Sequence, residues 1–223
     1  MLYIVATPIG NLEDITLRAI TVLTNVDLIL AEDTRVTKHL LDRYNIKTSL
    51  ISYHQHSTFK KIDQIIELLR DGKKLALVTD AGTPGINDPG NYLVMKVLEQ
   101  LPDLKIVPIP GASAMVSALS VSGFPTDKFT FLGFPPNKKG RQTFFKNIGK
   151  IEETVAFYES KYRILKALED LKKFAAVEDR KLMVGRELTK QFETIYRGDV
   201  DHVTKAVSGD NLLGEFVVVI SSK

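Results

Sequence analysis

The sequence predicts an α/β protein in two parts: an N-terminal, mainly parallel α/β domain over residues 1–122 and a smaller C-terminal α/β domain with a mixed sheet over residues 123–223. Short apolar runs alternate with segments of helical period through the first half, the pattern of β-α units that feed a parallel sheet. Gly123 to Lys128 then reads as a boundary. Beyond it, Lys181 to Arg186 and Glu193 to Arg197 are close enough in sequence to pair antiparallel, which makes the second sheet mixed.

In chain order, Leu2 to Ala6 reads as a buried strand. A helix follows, with Asn11 as N-cap and Ile15, Ala19, Val22 and Leu23 on one face. Asp27 to Ala31 is a second strand, Thr34 to Tyr44 a helix and Ser49 to Tyr53 a third strand. Phe59, Ile62, Ile65, Ile66 and Leu69 trace an apolar helical stripe that Asp71-Gly72 closes. Leu75 to Val78 is wholly apolar, as a strand buried on both faces must be. A helix from Asn91 to Leu101 leads to a strand at Lys105 to Ile109, and an Ala/Ser-rich helix runs to Ser122. In the second half, strands are expected at Phe129 to Gly133, Thr154 to Tyr158 and Glu215 to Ile220 besides the antiparallel pair. The clearest helix there carries Ile164, Leu165, Leu168 and Leu171.

With 44% hydrophobic and 26% charged residues, the composition is that of an ordinary globular protein. The absence of cysteine excludes disulfides, thiolate metal sites and a cysteine nucleophile, and suits a reducing cytoplasm. No run reaches the ~20 apolar residues of a membrane span, and no basic region precedes the short apolar start. A net charge of +3 is too small to declare a nucleic-acid partner, but the stretch from Lys138 to Lys150 carries five cations and no acid around Phe144 and Phe145. It reads either as a basic face for RNA or as a solvated helix face.

The loop that follows Leu75 to Val78 reads Asp-Ala-Gly-Thr-Pro-Gly-Ile-Asn-Asp-Pro-Gly, from Asp80 to Gly90. Loops at the carboxyl ends of parallel strands line the crevice where open α/β sheets bind ligands. Eleven residues exceed the usual ~2 to 6 of a plain connection, and glycine and proline let the backbone approach a ligand closely. Thr7 to Asn11 and Pro110 to Ala114 are small-residue loops of the same kind, expected at the same sheet edge. Glu32-Asp33-Thr34-Arg35 follows the second strand, either as a ribose-binding carboxylate or as a helix start with Asp33 capping and Arg35 solvated. G-x-G-x-x-G, G-x-x-x-x-G-K-[ST] and G-x-S-x-G are all missing, which removes the common nucleotide cradles and the hydrolase elbow. Of the four histidines, only His54 and His56 could share a strand face. They lack a third ligand, so no metal is expected.

Taken together, ATPIGNLEDITLRA, AEDTRVTKHLL, ALVTDAGTPGINDPG, PGASAMVSALSVSGF, GFPPNKKGR, YESKYRI, RELTKQFETIYRG and GEFVVVI resemble the small-subunit ribosomal RNA methyltransferases of the tetrapyrrole methylase superfamily, from Tyr3 nearly to the last residue. The resemblance implies 2′-O-methylation of a cytidine ribose at the decoding centre and S-adenosylmethionine as donor, bound folded in a cleft between the two domains. It also implies a homodimer that acts in the cytoplasm on ribosomal RNA or the assembled 30S-type subunit. Donor contacts would come from Pro8, Gly10, Ala81, Gly82, Thr83, Pro84, Gly85, Ser113, Ala114, Tyr158, Glu187, Leu188 and Thr189. Glu32, Asp33 or Asp80 would accept the proton. Arg35, Lys38, Lys138, Lys139, Arg141 and Arg163 would hold RNA phosphates. Where the family pattern has Glu-Ser-Pro-His-Arg, this chain has Glu159-Ser160-Lys161-Tyr162-Arg163, so Glu159 and Arg163 carry over and the Pro-His pair does not. Two alternatives stand beside this reading: C-methylation of a tetrapyrrole, and an RNA- or ribosome-binding module without catalysis, which would have no need of the donor.

Overall fold

The computed structural model describes residues 1–54 and 58–223. Two compact units, Met1–Ser113 and Ala114–Lys223, divide the chain almost equally. The division falls ahead of the boundary read from sequence between residues 122 and 123. The Ala/Ser-rich helix α5 (Ala114–Ser122) therefore belongs to the second unit, where its small side chains let it pack against two strands of that unit's sheet.

The first unit holds β1 (Leu2–Val5), α1 (Leu17–Asn25), β2 (Leu28–Ala31), α2 (Thr34–Arg43), β3 (Leu50–Ser52), α3 (Phe59–Arg70), β4 (Leu75–Val78), α4 (Asn91–Gln100) and β5 (Ile106–Ile109). Its five strands are parallel in the order β3-β2-β4-β1-β5. Every residue of β4 is buried, as the uninterrupted apolar run requires. Alternate residues of β4 serve opposite faces. Ala76 and Val78 pack with Ala19, Leu23, Leu40 and Leu41 of α1 and α2, whereas Leu75 and Leu77 pack with Ile62, Ile66, Leu93 and Val97 of α3 and α4.

One capping expectation is corrected. Thr16, not Asn11, starts α1, its side chain accepting from the Ala19 N–H; the Asn11 side chain accepts from the Glu13 N–H and starts a separate 3-10 turn at Leu12–Asp14. Ile15 between them is extended, so the turn cannot run on into the helix.

The second unit continues with β6 (Phe129–Phe131), α6 (Arg141–Ile148), β7 (Thr154–Ser160), α7 (Ile164–Phe174), β8 (Leu182–Arg186), β9 (Thr194–Gly198), α8 (Val200–Ser208) and β10 (Glu215–Ile220). The strand order is β6-β7-β10-β8-β9; β6 and β7 are parallel and the other pairs antiparallel, including the expected β8-β9 pair. Val155 and Phe157, Leu182 and Val184, and Phe216, Val218 and Ile220 face a core closed by α6, α7 and α8. Helix α5 packs against β7 and β10.

Candidate functional site

Because the five strands of the first unit are parallel, all the loops that follow them emerge at one end of its sheet. The helix after β4 lies on the face opposite to the helices after its two neighbours, β1 and β2. Chain that departs to opposite faces leaves a crevice at that end, and the loop Asp80 to Gly90 begins in it. The loop is clasped from beside: the Thr7 N–H donates to the Gly82 carbonyl (2.9 Å), the Gly82 N–H donates back to Thr7 (3.1 Å), and the buried Thr7 hydroxyl donates to the Thr79 carbonyl (3.0 Å). The Thr83 hydroxyl reaches the Ala112 carbonyl at 3.5 Å. The three small-residue loops expected at one edge therefore meet there.

Gly82 and Gly85 both take left-handed backbone, at φ +83° and +87°. At Gly85 a Cβ would also lie 2.6 Å from Asn91 Oδ1, and the Asn91 amide donates to the Gly85 carbonyl (2.8 Å). Pro84 is buried, whereas Gly10 and Ala81 are exposed. The result is a fixed loop, buried at Gly82 and Pro84 and exposed at Ala81.

Three carboxylates stand beside it. The Asp33 N–H donates to Asp80 Oδ1 (2.9 Å), and the Asp80 N–H donates to the Glu32 carboxylate, so the ends of β2 and β4 are laced together. Burial, and then the negative charge of Asp80, raise the Glu32 pKa above its ordinary value; His54 opposes them. Asp33 moves the other way, to about 2, because the Arg35 side chain and N–H both donate to it. Asp33 also caps α2, and Arg35 is 89% exposed, so the helix-start reading of this motif is correct structurally. Lys38 is exposed and paired with Asp42 at 2.5 Å. The pair of His54 with His56 falls partly outside the described residues.

In the second unit the Tyr158 hydroxyl accepts from the Met115 N–H (3.1 Å) in the first turn of α5. Glu187 and Thr189, in the connection after β8, have φ of +50° and +67°, which is costly for residues with side chains. Lys190 Nζ at 2.9 Å and the Glu215 N–H at 3.0 Å hold the Glu187 carboxylate, and the buried Leu188 packs beneath. Strained backbone held by side-chain bonds is a common mark of a ligand site.

Two expected phosphate ligands are otherwise engaged. Arg141 is buried, with Nε on Asp170 (2.7 Å), Nη1 3.5 Å from Glu159 and the guanidinium 5.1 Å from the Phe145 ring. That corrects the expectation of a surface phosphate contact: at the first position of α6 its side chain points into the unit, where Glu159, wholly buried, needs counter-charge. Arg163 Nη2 binds the same carboxylate at 2.8 Å, and its side chain remains a quarter exposed. Lys138 and Lys139 are exposed as expected.

Residues 1–204 match the family model described as Tetrapyrrole (Corrin/Porphyrin) Methylases. The chain belongs to the tetrapyrrole methylase family. Among curated relatives it is 45% identical over 222 residues to the ribosomal RNA small subunit methyltransferase I of Thermotoga maritima, covering 100% of this chain and 98% of that one. It is 44% identical to the protein of the same name from Synechocystis, covering 99% of this chain and 78% of the relative. Among solved structures, a cobalt precorrin-4 methyltransferase superposes with a TM-score of 0.71 at 18% identity, covering 99% of this chain and 94% of that one. Diphthine synthase does so at 0.72 and 14%, covering 100% and 90%. These two show the shared fold.

As a tetrapyrrole methylase the chain takes its methyl group from S-adenosylmethionine, and the first unit's loops fit such a ligand. Left-handed glycines, the exposed Gly10 and Ala81 and the Thr83 hydroxyl suit a ligand rich in hydroxyl and amino groups, with no phosphate to cradle. Among the described residues no group of three His, Cys, Asp or Glu side chains could hold a metal, and no helix is long and apolar enough to cross a membrane. Sequence reasoning placed Thr7 in a loop at this edge but gave neither it nor Asn91 the contacts that clasp the loop. A threonine after a strand gives no signal until its partner across the sheet is known.

Proposed function

We propose that this tetrapyrrole methylase transfers a methyl group from S-adenosylmethionine to the 2′-hydroxyl of a cytidine in small-subunit ribosomal RNA, at the decoding centre. The observation that carries the reading is the identity of 45% over 222 residues, end to end, with a ribosomal RNA small subunit methyltransferase. The resemblance also supports a homodimer that works in the cytoplasm on ribosomal RNA or the 30S-type subunit.

S-adenosylmethionine supplies an electrophilic methyl group on a sulfonium. As the ribose oxygen forms its bond to that carbon the carbon–sulfur bond breaks, and the hydroxyl proton must leave. Glu32 is the carboxylate we assign to take it, because its raised proton affinity suits a general base better than that of Asp33, which Arg35 keeps ionised. Asp80 holds the two in register through the Asp33 N–H. Pro8, Gly10, Ala81 to Gly85 and Ser113 are assigned to donor binding on the resemblance, with the left-handed Gly82 and Gly85 in support. Ala114, Tyr158 and Glu187 to Thr189 are assigned to it on the resemblance. Arg35, Lys38, Lys138, Lys139 and the exposed edge of Arg163 are assigned to phosphates; exposed ion pairs such as Lys38 with Asp42 are weak enough to exchange for them.

The test is incubation with methyl-labelled donor and small subunits from cells that lack this modification, followed by mapping of the label on the RNA. Label on one cytidine ribose is expected. Label on a base carbon, or none on RNA while the donor still binds by calorimetry, would refute the proposal.

A further inference from the structure

At one end of the second unit's sheet, the parallel strands β6 and β7 deliver two loops side by side. The Tyr158 N–H donates to the Gly133 carbonyl (2.9 Å), extending the pairing past β6, and Arg163 Nη1 reaches the Pro135 carbonyl (3.3 Å). Phe134 packs its ring 5.5 Å from that of Tyr158 yet stays 51% exposed. In the turn between β7 and α7, Tyr162 is 85% exposed although Lys161 Nζ lies 5.0 Å from its ring centroid. Two large aromatic residues thus stand in water on adjoining loops.

The exposed charge of the two loops has one sign. The arginines here are neutralised within the unit, since Arg141 and Arg163 share the buried Glu159 and Arg141 also binds Asp170. The exposed side chains of the two loops include Lys138, Lys139 and Tyr162, with Lys161 half-buried beside them, and neither 133–140 nor 160–163 contains an acid. Exposed aromatic rings interleaved with lysines are what a single-stranded nucleic acid needs: stacking surface for unpaired bases and cations for its phosphates.

We infer that Tyr162, with Phe134 exposed on the adjoining loop, is a stacking platform for an unpaired base of the RNA substrate, flanked by Lys138, Lys139 and Lys161 as phosphate contacts. This rests on the reading of the chain as an RNA methyltransferase and adds to it a place where the strand is gripped. Exposed rings beside lysines also occur at protein and membrane interfaces, and it is the reading of the chain as an RNA methyltransferase that favours an unpaired base here. The platform also gives a physical meaning to the Lys161-Tyr162 pair that replaces Pro-His in the family pattern.

The chain contains no tryptophan, so Tyr162→Trp installs a single reporter at the platform. Titration of that variant with a single-stranded oligocytidylate should quench its fluorescence, and a duplex of the same length should quench it far less. Tyr162→Ala should weaken oligocytidylate binding about tenfold, as read by anisotropy of the labelled oligonucleotide, whereas Tyr162→Phe should bind like the unaltered protein. Donor affinity by calorimetry should be the same in all three. Unquenched tryptophan, or Tyr162→Ala binding as tightly as the unaltered protein, overturns the platform, and so does failure of the unaltered protein to bind the oligonucleotide. If the unaltered protein still methylates subunits in those cases, the proposed function survives; if it transfers no methyl group to RNA, that reading has failed as well.

Discussion

Glu32 and Asp33 are neighbours in sequence with opposite proton affinities, and the difference comes from their partners. Glu32 is partly buried against Asp80, and Asp33 is held by Arg35. A base must be ionised to act, so methyl transfer should fall as pH drops through a value above the ordinary glutamate range. Glu32→Gln should slow transfer by about 10²- to 10⁴-fold and abolish that acid limb, and Asp33→Asn should do neither. Equal loss in both, or an unchanged pH–rate profile in Glu32→Gln, would show that Glu32 is not the base. Stability has its own sign. A carboxyl whose folded pKa is raised favours the folded state below its unfolded pKa and loses that contribution as pH rises through the folded value. Glu32→Gln should therefore melt at a higher temperature than the unaltered protein at about pH 7, with no such gain in acid. The identity of these carboxylates was legible from their place after the second and fourth strands. Which of them has the raised proton affinity was not, because burial and the Asp33–Arg35 pair are properties of packing.

At the level of elements, an apolar period places a helix or strand well where one face is buried, as in α3 and β4. It is weak where an element is short or carries mixed residues. Helix α6 lies in the basic stretch that reads equally as an RNA face or a solvated helix, yet it buries Phe145 and Ile148 as well as Arg141. Its end meets the end of α7 closely: a Cβ on Gly149 would lie 2.4 Å from the Ala175 carbonyl oxygen and 3.0 Å from its carbon. These are backbone atoms and cannot turn aside. Gly149→Ala should therefore destabilise the protein by about 1–3 kcal/mol, read as a lower urea midpoint at unchanged slope. An unchanged midpoint would mean that α6 and α7 move apart at little cost.

Over the whole molecule the net charge is only +3, so long-range attraction to RNA is modest and the local arrangement of lysines decides affinity. Binding to RNA should weaken as salt rises, and replacing Lys138 and Lys139 together by alanine should reduce the slope of log K against log salt by about 2, without loss of stability. Arg141→Ala should behave in the reverse way, leaving the slope alone and costing about 3–5 kcal/mol of stability by stranding Asp170 and leaving Glu159 to Arg163 alone. A reduced slope in Arg141→Ala would return it to the RNA face.

By itself the sequence determined the α/β class, the parallel first sheet, the loops after its strands and the family, because periodicity, glycine and proline act locally and survive in a linear reading. Tertiary structure decided what those residues do with one another. It moved α5 into the second unit, turned Arg141 inward, and closed the clasp between Thr7 and Gly82. It also separated Glu32 from Asp33 in proton affinity and left Tyr162 standing in water. Apart from the local pair of Asp33 with Arg35, each of these depends on a partner distant along the chain or on access to solvent, and neither is encoded in the spacing of residues.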